Sequence, residues 1–209
     1  MAFAARFLPT LPLRFVGARG VRARWVLLGA LPIAAALGLR AFALEPFAVT
    51  SDSMLPTLAA GDRLFVNKLA APQRGDVIVF ERAGARYVKR VVGLAGERVE
   101  VRAGRVRVNG MSASGWRTGT LRVDGAGRTL AGVREQLGAV EHELLDDPAA
   151  LGAESAVVVP EGHFFVLGDN RDHSTDSREL GPIARDEIVG VVTTLLGRGP
   201  RFEARPIEE

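Results

Sequence analysis

Two residues of the sequence, a serine and a lysine, have neighbours that suit nucleophilic catalysis. Ser53 lies in the polar stretch Ser51-Asp-Ser-Met-Leu-Pro-Thr-Leu58, and Lys89 lies in the apolar run Tyr87-Val-Lys-Arg-Val-Val-Gly93. Burial in an apolar strand lowers the pKa of a lysine from its ordinary value of about 10.4. A neutral amine with a pKa of ~7–8 can take the proton of a serine hydroxyl. The two residues could therefore act as nucleophile and general base.

Lysine is rare in this chain, and arginine cannot replace it in this role. Of the 27 basic residues, only Lys68 and Lys89 are lysines, and a guanidinium does not lose its proton in proteins. Each catalytic candidate also has an ordinary structural interpretation. Ser53 could belong to a hydroxyl-stabilised turn, and Lys89 could lie at a sheet edge with its ammonium in water.

A third segment is dense in hydrogen-bonding side chains. It reads Gly168-Asp-Asn-Arg-Asp-His-Ser-Thr-Asp-Ser-Arg178 and follows the apolar run Phe164–Leu167. Taken alone, such a stretch would be interpreted as a solvated loop.

The sequence predicts no metal and no other cofactor. It has no cysteine and contains neither a GxxxxGK[ST] phosphate loop, nor an HExxH helix, nor a GxSxG elbow. Residues 169–176 carry spaced acids but lack the central glycine and the terminal glutamate of an EF-hand loop. The three histidines, His142, His163 and His173, are not at ligand spacings.

In combination, the three segments resemble the sequence boxes of bacterial type I signal peptidases (leader peptidases), which are Ser–Lys dyad proteases. Glu45–Phe47 followed by Ser51–Leu58 resembles the nucleophile box. Arg74–Phe80 and Tyr87–Gly96 resemble the lysine box, and Gly168–Arg178 matches the GDNRxxSxDSR box at every specified position. The resemblance covers roughly residues 20–110 and 156–197, with the boxes in the family's order and spacing.

The resemblance implies a role for each matching position. Ser53 would be the nucleophile and Lys89 the general base, and the Ser51 hydroxyl would complete an oxyanion hole with the Ser53 backbone N–H. Ser174 would hydrogen-bond the lysine and orient it. Two further positions would form a supporting ion pair, Asp176 and Arg178. The positions at which the family lines its substrate cleft are Phe47, Val49, Met54 and Tyr87.

Three departures from the family pattern are visible. Gly93-Leu-Ala-Gly-Glu97 stands where the family usually has Gly-Leu-Pro-Gly-Asp, which affects a turn and no catalytic group. Asp52 stands where many members have glycine. Residues 111–155 are shorter than in some large members and lack a cysteine pair, so the size of the accessory lobe is left open.

The first element that must position the site is an apolar segment near the N-terminus. Residues 25–44 contain Arg40 as their only charge, and ~20 apolar residues can cross the ~30 Å of a bilayer's hydrocarbon core as a helix. Residues 1–44 contain six arginines and no acid, which favours a cytoplasmic N-terminus. We therefore predict a basic cytoplasmic tail at 1–24, a transmembrane helix at 25–44 and a catalytic domain at 45–209. A cleaved secretory signal peptide is the less favoured alternative, because the tail is long and no small-x-small site precedes a separate mature start.

The distribution of charge excludes a nucleic-acid partner for the folded domain. The chain carries a net charge of +3, but six of its 27 basic residues and none of its 24 acidic residues fall within 1–44. The remainder is therefore net acidic, whereas nucleic-acid binding needs a basic patch on the domain itself. The predicted partners are the lipid bilayer and preproteins.

Short β-rich runs separated by turn signals follow residue 45. The predicted strands are Arg63–Asn67, Asp76–Phe80, Tyr87–Leu94, Arg98–Val101, Arg105–Val108, Ala156–Val159, His163–Leu167 and Ile188–Leu196. Arg134–Leu145 is predicted as a short helix, and residues 111–155, the least patterned stretch, as an insertion or smaller lobe. The fold class is thus mainly β, with a signal-peptidase-like antiparallel catalytic domain, a smaller inserted lobe and one preceding transmembrane helix.

The predicted function is removal of signal peptides from exported preproteins by an enzyme of the bacterial inner membrane. The N-terminus would lie in the cytoplasm and the catalytic domain on the periplasmic or extracytoplasmic side. Shallow apolar pockets would select small residues, as in Ala-x-Ala, before the cleaved bond. Three alternatives remain open: a specialised maturation peptidase, such as one serving conjugation, a self-cleaving repressor of the SOS type, and a non-catalytic membrane-tethered β scaffold.

Overall fold

The computed structural model describes residues 43–123, 127–147, 149–150, 153–197 and 204–206. The predicted tail at 1–24 and residues 25–42 of the predicted transmembrane helix lie outside these ranges. The last residue assigned to that helix, Leu44, is instead the first residue of strand β1. None of the helices in the described part of the chain is long and apolar enough to cross a membrane.

The described residues are mainly β, and their strands pair antiparallel, which confirms that part of the predicted fold class. The strands are β1 Leu44–Ala48, β2 Arg63–Asn67, β3 Val77–Arg82, β4 Ala85–Gly93, β5 Arg98–Arg102, β6 Arg105–Val108, β7 Met111–Ser112, β8 Ser114–Val123, β9 Thr129–Leu137, β10 Val140–Asp146, β11 Ser155–Val158, β12 His163–Leu167, β13 Ile183–Ala184, β14 Ile188–Leu196 and β15 Ala204–Pro206. One short α-helix, Ser177–Leu180, and two 3-10 turns, Arg171–His173 and Arg185–Glu187, complete these elements.

Within the described ranges the strands form three sheets. An eight-stranded sheet has the order β1-β2-β14-β3-β4-β12-β13, with β15 paired to β14. A four-stranded sheet has the order β11-β5-β6-β7, and a three-stranded sheet has the order β10-β9-β8. In the large sheet β4 lies between β3 and β12, so the strand that carries Lys89 is an interior strand.

The register of the large sheet brings the three sequence boxes together. Leu167, the last residue of β12, pairs with Arg90 of β4. The segment that follows β12 therefore leaves the sheet beside Lys89. The connection between β1 and β2, which are direct neighbours, contains Ser53.

Alternation along β4 distributes its side chains between different parts of the core. Val91 packs with Ile78 and Phe80, whereas Val92 packs with Val99 and other residues of the four-stranded sheet. Successive side chains of a strand face opposite sides of it, which accounts for this division.

The prediction of a helix at Arg134–Leu145 was wrong, because this stretch is a β-hairpin. Strands β9 and β10 are joined at Gly138, which has a φ of 65°, a left-handed conformation that glycine adopts without strain. Two inward-facing residues of the hairpin, Glu135 and His142, are polar and buried. They hide the two-residue period that would have indicated strands.

The stretch predicted as an insertion or lobe, residues 111–155, contains the three-stranded sheet. The first strand within residues 111–155, β7, does not belong to that sheet and pairs with β6 of the four-stranded sheet. At the other end, β10 reaches the segment after β12 through a parallel bridge between Leu145 and Asn170.

Candidate active site

The loop between β1 and β2 presents Ser53 at the surface of a well-packed core. Met54 and Leu58 have no exposed area, and the Leu58 N–H donates to the Met54 carbonyl at 2.9 Å. With these two side chains buried, Ser53 is left half-buried and Ser51 exposed. The apolar residues of the box thus fix the loop while its serines face outward.

Lys89 reaches Ser53 from strand β4. Its side-chain nitrogen Nζ lies 2.6 Å from the Ser53 Oγ and 2.8 Å from the Val88 carbonyl oxygen. The residue is only 3% exposed, and this burial lowers the pKa of Lys89 to about 8. The negative charges of Asp176 and Asp169 oppose the shift without cancelling it. A lysine with this pKa is partly neutral near neutral pH and within reach of the hydroxyl proton.

Ser51 lies next to the same hydroxyl. Its Oγ is 3.2 Å from the Ser53 Oγ, and its side chain is exposed to solvent. The three side chains Ser51, Ser53 and Lys89 therefore meet at one point, although their catalytic roles stay predictions.

The Gly168–Arg178 segment packs directly on the backbone of the serine loop. The Asn170 backbone N–H donates to the Ser53 carbonyl at 3.1 Å, and the Asn170 Nδ2 donates to the Asp52 carbonyl at 3.1 Å. A Cβ atom added at Gly168 would lie 2.6 Å from the Ser53 carbonyl oxygen and 2.2 Å from the Ser174 Oγ. Only glycine allows this approach of the two backbones.

Asp176 and Arg178 form a two-pronged ion pair at the end of this segment. The Arg178 Nε and Nη2 each donate to Asp176 at 2.8 Å, and both side chains are almost fully buried. Asp176 also accepts from the Gly168 N–H at 2.9 Å. The pair therefore joins the two ends of the segment.

The Ser174 hydroxyl is buried beside Gly168, but the hydrogen bond that the resemblance implies with Lys89 is not formed. Its Oγ makes no hydrogen bond with any residue that the structure describes. The Lys89 Nζ is directed to Ser53 and to the Val88 carbonyl instead. An orienting role for Ser174 stays a prediction.

A second buried ion pair is formed by Arg90, the neighbour of Lys89 on β4, and Asp169. The Arg90 Nε and Nη2 donate to the two oxygens of Asp169 at 2.9 and 2.8 Å. The Thr57 hydroxyl of the serine loop donates to Asp169 at 2.5 Å. Burial alone would raise the pKa of the Asp169 carboxyl, but the charge and hydrogen bonds of Arg90 outweigh it and hold this pKa below its ordinary value. Asp169 is thus an anion that ties the lysine strand to the serine loop.

Residues 22–196 match the model of the family described as signal peptidase, peptidase S26. The chain belongs to the signal peptidase family. It is 37% identical over 190 residues to a signal peptidase I of Pseudomonas fluorescens, covering 74% of this chain and 65% of that protein. It is 38% identical over 183 residues to a signal peptidase I of Pseudomonas aeruginosa, covering 75% and 62%. The chain thus spans less than two thirds of the length of these two relatives.

A crystal structure of a signal peptidase I from Enterococcus faecalis is also similar to this chain. The two share 32% sequence identity over 59% of this chain and 98% of that one, with a TM-score of 0.38.

The four residues predicted to line a substrate cleft are divided between two parts of the core. Val49 and Met54 are buried in one apolar cluster, with Phe47 packed against it. Tyr87 packs against a different cluster and stacks on Phe80 with 5.2 Å between the ring centroids. Their role in substrate binding stays a prediction.

The sequence-based reasoning assigned no role to several residues that position the dyad. These residues are Thr57, Arg90, Gly168, Asp169 and Asn170. All five lie within the signal peptidase boxes, so the position-by-position match was the signal that could have identified them. Two further residues, Glu135 and Arg171, form a buried ion pair. Glu135 lies in the stretch that was predicted as a helix, outside the boxes.

Proposed function

We propose that this chain is a membrane-bound serine endopeptidase that removes N-terminal signal peptides from exported preproteins. Ser53 is the nucleophile and Lys89 the general base. The observation that carries the proposal is the 2.6 Å contact between the Lys89 Nζ and the Ser53 Oγ, made by a buried lysine in a chain of the signal peptidase family. Two similar proteins, from Pseudomonas fluorescens and Pseudomonas aeruginosa, bear the name signal peptidase I.

In the proposed reaction the neutral Lys89 amine removes the proton of the Ser53 hydroxyl as the oxygen attacks the scissile carbonyl. The resulting oxyanion accepts hydrogen bonds from the Ser51 hydroxyl and the Ser53 backbone N–H. The protonated lysine then gives its proton to the leaving amine, and an acyl-enzyme remains on Ser53. Lys89 next activates water, which releases the acyl group and regenerates the serine.

The supporting residues keep the base in place and tune it. Asp176 and Arg178 hold the segment that packs on the Ser53 carbonyl, and the Asp176 charge keeps the pKa of Lys89 from falling further. The buried Ser174 hydroxyl, which has no hydrogen-bond partner among the described residues, would be available in this proposal to bond the lysine and orient it in the working enzyme.

The proposed substrates are preproteins with small residues, as in Ala-x-Ala, before the cleaved bond. Phe47, Val49, Met54 and Tyr87 line the cleft in this proposal. Val49 and Met54 are 4% and 0% exposed, so they would form the layer beneath the cleft floor, and the half-buried Phe47 and Tyr87 would supply its accessible surface. Shallow apolar pockets accept methyl groups and exclude larger side chains.

The proposed location is a bacterial inner membrane, with one transmembrane helix at 25–44 and a cytoplasmic N-terminus. The six arginines and the absence of acids within 1–44 support this orientation. The catalytic domain would then lie on the periplasmic or extracytoplasmic side, close to membrane-tethered signal peptides.

Cleavage of a preprotein with an Ala-x-Ala site by the detergent-solubilised chain tests the function. Ser53→Ala and Lys89→Ala should each lower kcat by roughly 10⁴-fold or more, because members of a catalytic unit are not replaceable one by one. Lys68→Ala and Ser114→Ala are the matched controls, since they remove the same groups from exposed positions. Undiminished cleavage by either dyad variant would contradict the proposal.

A further inference from the structure

One buried arginine, Arg171, joins the Gly168–Arg178 segment, called the catalytic segment below, to two other parts of the fold. Arg171 has no exposed area, and its Nη2 and Nη1 donate to the Glu135 carboxylate at 2.5 and 3.1 Å. Its Nη1 also donates to the Gly104 carbonyl at 2.8 Å. Glu135 belongs to β9 of the three-stranded sheet, and Gly104 to the turn between β5 and β6. Three separate elements thus meet at one guanidinium.

The three-stranded sheet also holds the catalytic segment through its backbone. The Leu145 N–H of β10 donates to the Asp169 carbonyl at 2.8 Å. Two residues further on, the Asp147 N–H donates to the Asp172 Oδ2 at 2.8 Å. The segment is therefore fixed along residues 169–172 by a sheet that contributes no residue to the Ser53–Lys89 dyad.

A buried histidine shows that Glu135 depends on Arg171 for its counter-charge. The His142 Nε2 lies 3.5 Å from Glu135 and 3.9 Å from Asp169. Burial lowers the pKa of His142 to about 4, so the ring is neutral at neutral pH. Glu135 and Asp169 are accordingly balanced by Arg171 and Arg90. Removing the charge of Glu135 would leave Arg171 buried without an anion.

The position of Arg171 is passed on to the dyad by a short chain of contacts. The Arg171 carbonyl accepts from the Arg178 Nη2 at 2.5 Å. Arg178 in turn donates two hydrogen bonds to Asp176, and the negative charge of Asp176 raises the pKa of Lys89. A shift of Arg171 would therefore move the charge that acts on the general base.

We propose that the three-stranded sheet positions the catalytic segment, and that Glu135 is the positioning residue through which it acts. This inference rests on the proposed Ser53–Lys89 dyad but not on the identity of the natural substrate. A buried ion pair contributes little net stability compared with apolar residues of similar volume. A positioning role accounts for the pair where a stabilising role does not.

Acylation of Ser53 by p-nitrophenyl acetate, followed by mass spectrometry of the Ser53 peptide, tests the inference without a preprotein. Glu135→Gln should slow acylation by about 10- to 100-fold, since misplacement by ~1 Å can cost ~10²-fold in rate. Its pH–rate profile should shift to lower pH, because a weaker electrostatic interaction with the Asp176 charge lowers the pKa of Lys89. Glu141→Gln is the control. It removes a carboxylate from the same sheet, but from an exposed pair with Arg134, and should acylate at the wild-type rate.

Two further variants separate positioning from folding. Glu135→Asp keeps the charge and should recover part of the rate. The double variant Glu135→Met with Arg171→Met replaces the ion pair by apolar residues and should fold, as checked by circular dichroism and thermal unfolding, while acylating slowly. A double variant that folds and acylates at the wild-type rate would overturn the inference. So would a Glu135→Gln protein with an unchanged rate and pH profile.

The same assay distinguishes this inference from the proposed function. A wild-type protein that acylates at Ser53 but cleaves no preprotein would overturn the proposed substrate class and leave the inference to be decided by the Glu135 variants. A wild-type protein that acylates no faster than Lys89→Ala would overturn the dyad and both proposals with it.

Discussion

Two groups of ion pairs differ sharply in their surroundings. Arg90–Asp169, Arg171–Glu135 and Arg178–Asp176 have side chains that are at most 4% exposed. The pairs Arg86–Glu45 and Arg134–Glu141 have side chains that are 26–47% exposed. Each of the three buried pairs includes a residue of the Gly168–Arg178 segment, whereas the two exposed pairs include none.

The difference indicates what the buried charges are for. Taking a charge out of water is unfavourable, and pairing it rarely makes the protein more stable than an apolar core would. Charges gathered in one buried segment beside a lysine of lowered pKa are typical of a functional site. The exposed pairs lie in solvent and are weak. The buried pairs thus fix the geometry of the Gly168–Arg178 segment, and the exposed pairs mainly keep the protein soluble.

Breaking a buried pair should have the largest effect. Arg90→Met leaves the Asp169 carboxylate buried without its partner, which typically costs about 3–5 kcal/mol in the free energy of unfolding. Urea denaturation followed by circular dichroism measures this cost. A loss below about 1 kcal/mol, the range of exposed pairs, would remove the distinction between the two groups.

A substitution that alters no charge tests whether close packing, as well as the ion pairs, fixes the Gly168–Arg178 segment. Gly168→Ala adds a methyl group that would lie 2.2 Å from the Ser174 Oγ and 2.6 Å from the Ser53 carbonyl oxygen. The two loops must separate, and we expect kcat to fall by about 10²-fold. Gly197→Ala is the control, because an added Cβ there meets no atom of the described residues within 4 Å. Wild-type kcat in Gly168→Ala would mean that the close contact of the two loops has no catalytic importance.

The smallest effect is expected for an exposed pair. Arg86 bonds Glu45 and Glu81 with its side chain 43% exposed. Arg86→Met should change the free energy of unfolding by less than about 1 kcal/mol and leave kcat unchanged. The same denaturation and cleavage assays measure both values, and an effect as large as that of Arg90→Met would refute the assignment by burial.

The large sheet with its dyad and the β9–β10 hairpin also differ in how well the sequence predicts them. Strands β2, β4, β12 and β14 follow from apolar runs between turn signals, and the dyad from residues that match a family box one by one. The β9–β10 hairpin was missed because Glu135 and His142 face inward, which breaks the alternation of apolar and polar residues. Polar residues at core positions are expected where a structure serves function rather than stability. The partner of Arg171 could not be read from the sequence, because only the fold brings β9 to the catalytic segment.

The dependence of kcat/KM on pH tests the central claim, that buried Lys89 is the general base, most directly. The pKa of Lys89 is lowered to about 8, and only the neutral amine accepts the serine proton. Cleavage should therefore rise with pH and reach half its maximum near pH 8, and Lys89→Arg should be inactive at every pH because a guanidinium stays protonated. A profile that is flat from about pH 6 to 9, or one whose midpoint lies near 6.5, the ordinary pKa of histidine, would contradict a lysine base.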